Sequence, residues 1–149
     1  MRKILILSFL FLLSCVAQKT VIYQLNTKCN KPVEEVFKSV TGLLVLENLN
    51  IDHSDVNIGY ISASTTPNRN YKTGYLDKRQ WLIQFKDGKI TAQAKVSMVQ
   101  ENAFGATILT KEVYYNDQAD QEMSWYWNVR NALESLCDNK IEIIERQIK

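Results

Sequence analysis

Arg79–Met98, RQWLIQFKDGKITAQAKVSM, decides the fold. Asp87-Gly88 is a two-residue turn of the kind that closes a β-hairpin, because both central positions need a positive φ. That turn sets Phe85 opposite Ile90, Ile83 opposite Ala92 and Trp81 opposite Ala94. The alternation then puts all six on one face, as a sheet that covers a core requires. The small alanines opposite large side chains look like packing complementarity.

Working outward, Thr20–Leu25 (TVIYQL) is rich in β-branched and aromatic residues and reads as a strand. Asn30-Lys31-Pro32 then opens a helix with a capping residue, a proline in the first turn and Glu34-Glu35 at the positive end of the dipole. Val33, Val36, Phe37, Val40, Leu43 and Leu44 follow at helical spacing, and the helix should fade near Asn48–Asn50. Asp55–Thr66 (DVNIGYISASTT) reads as a strand with Val56, Ile58 and Tyr60 on one face, and Gly59 permits a bulge or a close approach. Ala106–Tyr115 (ATILTKEVYY) is a further strand. Ala119–Cys137 is a second helix: at about 100° per residue, Met123, Val129, Leu133, Leu136 and Cys137 cluster around Tyr126, with Ser124, Asn128, Asn131 and Ser135 opposite. Residues 140–149 suit a helix through Ile141, Ile144 and Ile148, or a strand through Ile141 and Ile143. The predicted order β-α-β-β-β-β-α makes an α+β domain: an antiparallel sheet of about five strands with two helices packed on one face.

KPVEEVFKSVTGLL, SDVNIGYISAS and QWLIQFKDGKI together resemble small exported domains of Bacteroidota with a TATA-binding-protein-like fold. The resemblance covers about half the chain. It implies the architecture and no active site, because that family has no assigned function and a shared fold does not bring DNA binding with it.

The amino-terminal stretch ILILSFLFLLSCVAQKT (Ile4–Thr20) carries a different kind of information. Arg2 and Lys3 precede an apolar run, Ile4–Leu13, of the length of a secretory signal and too short to span a bilayer, which takes roughly 20 apolar residues. Leu12-Leu13-Ser14-Cys15 resembles the bacterial lipobox. That resemblance implies transfer of diacylglycerol to the Cys15 thiol, cleavage before Cys15 and acylation of the new amino terminus, for instance with palmitate. The alternative is ordinary secretion with cleavage after Ala17. On the lipobox reading, 1–14 is a lipoprotein signal peptide, 15–19 a lipidated tether and 20–149 a single domain. Val16–Lys19 reaches roughly 14 Å at full stretch, so the domain sits close to the membrane. Val16 is not an inner-membrane retention aspartate, and no acidic run follows Cys15. By resemblance the protein is expected in the outer membrane, facing the periplasm.

The whole chain carries 18 basic and 16 acidic side chains. Without Arg2 and Lys3 the two signs balance at 16 each, which gives no reason to expect nucleic acid as a partner. Cys29 and Cys137 remain as a disulfide pair, in keeping with an oxidising compartment, or as two small buried apolar side chains. His53 is the sole histidine and there is no Cys-x-x-Cys, so no metal or other cofactor is expected. No Ser-His-Asp set or phosphate-binding glycine loop is present either, and the chain reads as non-catalytic.

Two regions are candidate partner surfaces. Pro67–Arg79 (PNRNYKTGYLDKR) is a long polar connection holding Arg69, Lys72, Lys78 and Arg79 against Asp77, with Tyr71 and Tyr75 interleaved. Its alternative is an ordinary solvated loop or extended hairpin. Ser124–Arg130 (SWYWNVR) sets Trp125 and Trp127 roughly 100° to either side of Tyr126, as exposed anchors or as rings lying over the sheet edge. Arg130 falls inside the apolar stripe, where it snorkels or pairs with Glu122 or Glu134. The expected function is a membrane-anchored periplasmic lipoprotein acting as a binding or scaffold module, an accessory subunit of an envelope or secretion assembly. It would be held to the membrane through its lipid and bound to an envelope protein. The alternative is a small carrier holding an apolar ligand between sheet and second helix, lined by Tyr60, Trp81, Phe85 and Trp127.

Overall fold

The structure, a computed structural model, describes residues 20–117 and 123–148. Residues 1–14, Cys15 and the rest of 15–19, Gln118–Glu122 and Lys149 lie outside them. The element order is β1 (Thr20–Lys28), α1 (Val33–Leu46), β2 (Asn50–Asp55), β3 (Tyr60–Ser64), β4 (Asn68–Arg69), β5 (Leu76–Lys86), β6 (Lys89–Glu101), β7 (Thr107–Tyr114), α2 (Ser124–Cys137) and β8 (Glu142–Ile148). The chain is α+β, with two helices and one antiparallel sheet of eight strands in place of about five.

The β5–β6 hairpin carries the register read from the sequence: Phe85 pairs with Ile90, Ile83 with Ala92 and Trp81 with Ala94. All six side chains are buried, and Asp87 and Gly88 both take positive φ. β3 continues the same face, with Ile61 opposite Ile83 and Ala63 opposite Trp81. On the other side Leu25 of β1 meets Ala92. Both helices cover this face. Phe37 of α1 lies against Phe85 at 5.6 Å between centroids, and Tyr126 of α2 stacks on Trp81 at 5.7 Å. The apolar stripes are those expected: Val36, Phe37, Val40 and Leu44 on α1, and Tyr126, Val129, Leu133 and Cys137 on α2.

Three strands account for the higher count: β2 and β4, which have no apolar signature, and β8, which lies in the segment that suited helix or strand. β2 (NIDHSD) is a polar edge strand with three consecutive exposed side chains. β4 is a two-residue strand on β5, and β8 pairs with β1 from Thr20↔Ile148 to Asn26↔Glu142. The strand reading of 140–149 is therefore the one adopted. Val56–Gly59 is a turn and not the start of a strand. Asp55 Oδ1 accepts the backbone N–H groups of Asn57 and Ile58, at 2.9 and 3.4 Å, and leaves Val56 and Ile58 exposed. Gly59 takes a positive φ, and a Cβ there would lie 2.2 Å from the Phe85 carbonyl oxygen. α1 starts at Val33, two residues later than a helix capped by Asn30 would. Pro32 occupies its N-cap, and no side chain caps that end.

β6 changes partner half-way along. Its first residues pair with β1, up to Ala92↔Leu25. From Lys95↔Tyr114 to Glu101↔Thr107 it pairs with β7 instead. β1 and β7 diverge from this fork and leave a cleft of about 710 Å³ between Thr20, Val21 and Tyr23 on one side and Leu109–Tyr114 on the other. The fork gives the sheet two unlike ends.

At one end Cys29 and Cys137 form a disulfide with Cα atoms 4.5 Å apart, tying β1 to the end of α2. The Cys29 N–H also donates to the Gly88 carbonyl at 2.8 Å. Asp138 takes a left-handed conformation that ends α2, and Asn139 Nδ2 donates to the Lys28 and Cys137 carbonyls, both at 3.0 Å. At the other end the β4–β5 turn and the β6–β7 hairpin continue beyond the last paired residue of β3, Ser64↔Gln80.

Candidate functional site

The free end of the sheet is built from two tight turns. In the first, Asn70 Oδ1 accepts the N–H groups of Lys72 and Thr73 at 3.0 and 3.4 Å. Its Nδ2 donates to Asp77 Oδ2 at 2.9 Å. The Asn70 N–H meets the Tyr75 carbonyl, and the Gly74 N–H returns to the Asn70 carbonyl. One asparagine thus organises the turn. Tyr71, at its apex, is 94% exposed. In the second turn Asn102 Oδ1 accepts the N–H groups of Phe104 and Ala106, both at 2.9 Å, and Gly105 takes a positive φ. Phe104 is likewise 94% exposed, and Ile108 and Leu109 are exposed just beyond it. The two turns are neighbours: Arg69 Nη2 lies 3.7 Å from Glu101, and Leu76 pairs with Val99.

Pro67–Arg79 is therefore an extended hairpin. Its positive surplus is partly used up. Arg69 holds Glu101 and donates to the Gly74 carbonyl at 3.3 Å. The Arg79 guanidinium lies 5.8 Å from the centroid of Trp125. Tyr75 is half-buried, while Tyr71 and Lys72 point to solvent. Behind this hairpin a groove of about 630 Å³ runs along the helix side of the sheet, bordered by Thr65, Asp77, Arg79, Met98 and Trp125.

Trp125 does not offer a ring to a partner. It is 5% exposed and stands edge-on to Trp81 and Tyr115, at 6.1 and 5.6 Å. Helical spacing placed it at a boundary, but the long β5–β6 hairpin reaches past the start of α2 and encloses it. Trp127 is half-buried, edge-on to Tyr126 at 5.2 Å, with Arg130 near its face at 5.9 Å. Nor do Tyr60, Trp81, Phe85 and Trp127 share a cavity. Trp81 and Phe85 are filled over by α2 and α1, while Tyr60 pairs with Gln84, on the opposite face, beside His53.

Arg130 pairs with an acid, as its place in the apolar stripe requires. Its Nε and Nη2 donate to the two oxygens of Asp117 at 3.0 and 2.8 Å, and Nη1 donates to Glu134. Asp117 comes from the connection before α2 and was not legible in the helical pattern; Glu122 lies outside the described residues. Tyr126 donates its hydroxyl to Asp117 at 3.2 Å. Burial, and then the Asp117 charge, pushes the Tyr126 phenol well above its ordinary range. On β7, Tyr114 is raised to about 12 by burial and by Glu112, and Glu112 is lowered chiefly by its hydrogen bond with Lys95 at 2.6 Å. Each of these shifts holds its group more firmly in its ordinary charge state at neutral pH, the two phenols neutral and the Glu112 carboxylate ionised.

A second surface lies on the outer face near the disulfide. Lys28, Lys89, Lys140 and Arg146 border a groove of about 430 Å³ with Glu142 as the one acid among its lining residues. None of the four cations makes an ion pair among the described residues. Gln24 and Asn26 also line the groove, and Gln24 and Thr91 both donate to Asn26 Oδ1.

No family model, no curated protein and no solved structure matches this chain. Among the described residues no helix is long and apolar enough to cross a membrane, and no group of three or more His, Cys, Asp or Glu is placed to hold a metal ion. The functional reading therefore rests on the residues themselves. Phe104, Ile108 and Leu109 are the site residues that sequence reasoning missed. The signal was available: an apolar ring between Asn102 and Gly105 sits at a turn apex, where the chain cannot bury it.

Proposed function

We propose that this chain is a lipid-anchored periplasmic lipoprotein, held in the outer membrane through Cys15, whose folded domain is a non-catalytic binding or scaffold module of an envelope assembly. The observation that carries the anchoring is Leu12-Leu13-Ser14-Cys15 at the end of the apolar run, with only four residues between Cys15 and the first residue of β1. Two features support a module over a carrier. The space between sheet and helices is filled by Trp81, Phe85, Phe37 and Tyr126. The exposed apolar residues of the free end, by contrast, are held out on ordered turns. The basic groove of Lys28, Lys89, Lys140 and Arg146 is the surface on which this reading seats an acidic envelope partner.

The test is chemical. Mass spectrometry of the mature protein is expected to show an amino-terminal cysteine carrying diacylglycerol, and the protein should enter the detergent phase on extraction. Cys15→Ala should shift it to the aqueous phase. A wild-type protein found in the aqueous phase with an unmodified Gln18 terminus overturns the reading.

A further inference from the structure

We propose that the free end of the sheet, formed by the β4–β5 turn and the β6–β7 hairpin tip, rests on the bilayer surface, with Phe104 and Tyr71 seated among the lipid headgroups. This deepens the lipoprotein reading and depends on it.

Strand direction is the first argument. β1 runs antiparallel to β6, so the start of β1 points the same way as the end of β6. Leu25 is level with Ala92; five residues back along β1, Thr20 points toward the level of Ser97. The chain thus leaves toward residues 1–19 at the end that carries Phe104 and Tyr71. The opposite end of β1, where the disulfide lies, is nine residues away, about 30 Å at 3.3 Å per residue.

Length is the second. β6 continues four residues from Ser97 to Glu101 before its turn, so the tip stands about 13 Å beyond the level at which the chain leaves. The tether from Val16 to Lys19 reaches at most about 14 Å. A domain held on that tether has about 1 Å of slack at full stretch, and none at any shorter extension, to keep a projection of nearly equal length clear of the membrane while the sheet axis points at it. Presenting the disulfide end instead would take a tether long enough to pass the whole of β1.

The chemistry of the end is the third. Phe104 and Tyr71 are the two most exposed large apolar or aromatic side chains among the described residues. Ile108 and Leu109 are exposed beside Phe104, and Lys72 and Lys111 are exposed without an ion-pair partner among the described residues. The nearby acids are already engaged: Glu101 by Arg69, Glu112 by Lys95, and Asp77 by Asn70 through one oxygen. An aromatic ring at headgroup depth with lysines beside it is the composition that suits a membrane–water interface. Lysines near an anionic leaflet are attracted to its negative surface potential.

The experiment uses the full-length mature lipoprotein, reconstituted into vesicles of phosphatidylethanolamine and phosphatidylglycerol. The photo-crosslinking residue p-benzoylphenylalanine is placed at Phe104, at Tyr71, or at Lys86 beside the far turn. Vesicle flotation reports anchoring and lipid adducts report contact. The expected result is flotation of all three, with lipid adducts from positions 104 and 71 many-fold above those from position 86. Phe104→Asp should lower the adduct yield from position 71 several-fold while flotation is retained. Flotation with no excess of lipid adducts at 104 and 71 overturns this inference and leaves the anchor standing. Protein adducts from these positions in the native envelope, in place of lipid, assign the surface to a protein partner and overturn it too. A chain that does not float overturns the anchor itself.

Discussion

The two ends of the sheet are built on opposite plans. At the disulfide end β1, the β5–β6 turn, α2 and β8 converge, and Cys29, Gly88, Asn139 and Cys137 are bound to one another by covalent and hydrogen bonds. At the free end each turn is organised by its own asparagine, Asn70 or Asn102, and what it presents is exposed apolar surface. The difference separates two tasks. A crosslink closing a 108-residue loop lowers the entropy of the unfolded chain and so stabilises the whole domain. A turn ordered by local hydrogen bonds can hold a phenyl ring in water without any support from the core. The crosslink and the exposed apolar turns are thereby placed about a strand's length apart, and substitutions at one end should leave the other almost untouched.

The largest effect should come from the closed end. Replacing both Cys29 and Cys137 by alanine should cost about 4–5 kcal/mol on the loop-entropy account, read as a lower urea midpoint. A loss below about 1 kcal/mol would mean that the two ends do not differ in this way. In the core between them, Trp81→Ala should cost about 3–5 kcal/mol, because the ring is fully buried and stacks on Tyr126. A cost near zero would show that the face of the hairpin is not packed as described.

The pH dependence sharpens the same contrast. Tyr126 and Tyr114 both titrate higher in the folded chain than in the unfolded one, where a phenol titrates near about 10. The unfolded state therefore loses its protons first as pH rises. The stability linked to these groups is fully present below about pH 10 and is lost as pH climbs through the folded values. Tyr126→Phe should flatten that alkaline decline, and it should also cost about 1 kcal/mol at neutral pH for the lost hydrogen bond to Asp117. An unchanged slope in this variant would remove Tyr126 from the explanation. The smallest effect belongs to the free end: Phe104→Asp should change stability by no more than about 0.5 kcal/mol, since the ring touches water and not the core. A larger loss would show that the tip is part of the fold.

The candidate site was legible only in pieces. Tyr71 and Lys72 stood out because a long polar segment with two tyrosines has no place in a core. Arg69 stood out for the same reason but is occupied by Glu101, which lies 32 positions away in sequence and across a hairpin. Trp125 looked like a boundary residue because helical periodicity knows only its own helix. Phe104 was passed over because β7 drew attention to its strand and not to the turn before it.

What the sequence by itself determined is the local order of the fold. The Asp87-Gly88 turn fixes the pairing of β5 with β6 because a one-residue slip would turn every apolar side chain to water, and the stripes on α1 and α2 say which side of each helix is buried. Tertiary structure decided the rest. β2 and β4 are strands because a neighbour's free edge supplies their hydrogen bonds, which no pattern in their own side chains encodes, and pairing with β1 decided between the helix and strand patterns of β8. It also decided that β6 passes from β1 to β7, and so that Phe104, Tyr71 and the start of β1 lie at one end. Side-chain periodicity reports burial along a single element; which distant segments share an end follows from strand order and direction, which are settled only when the whole sheet assembles.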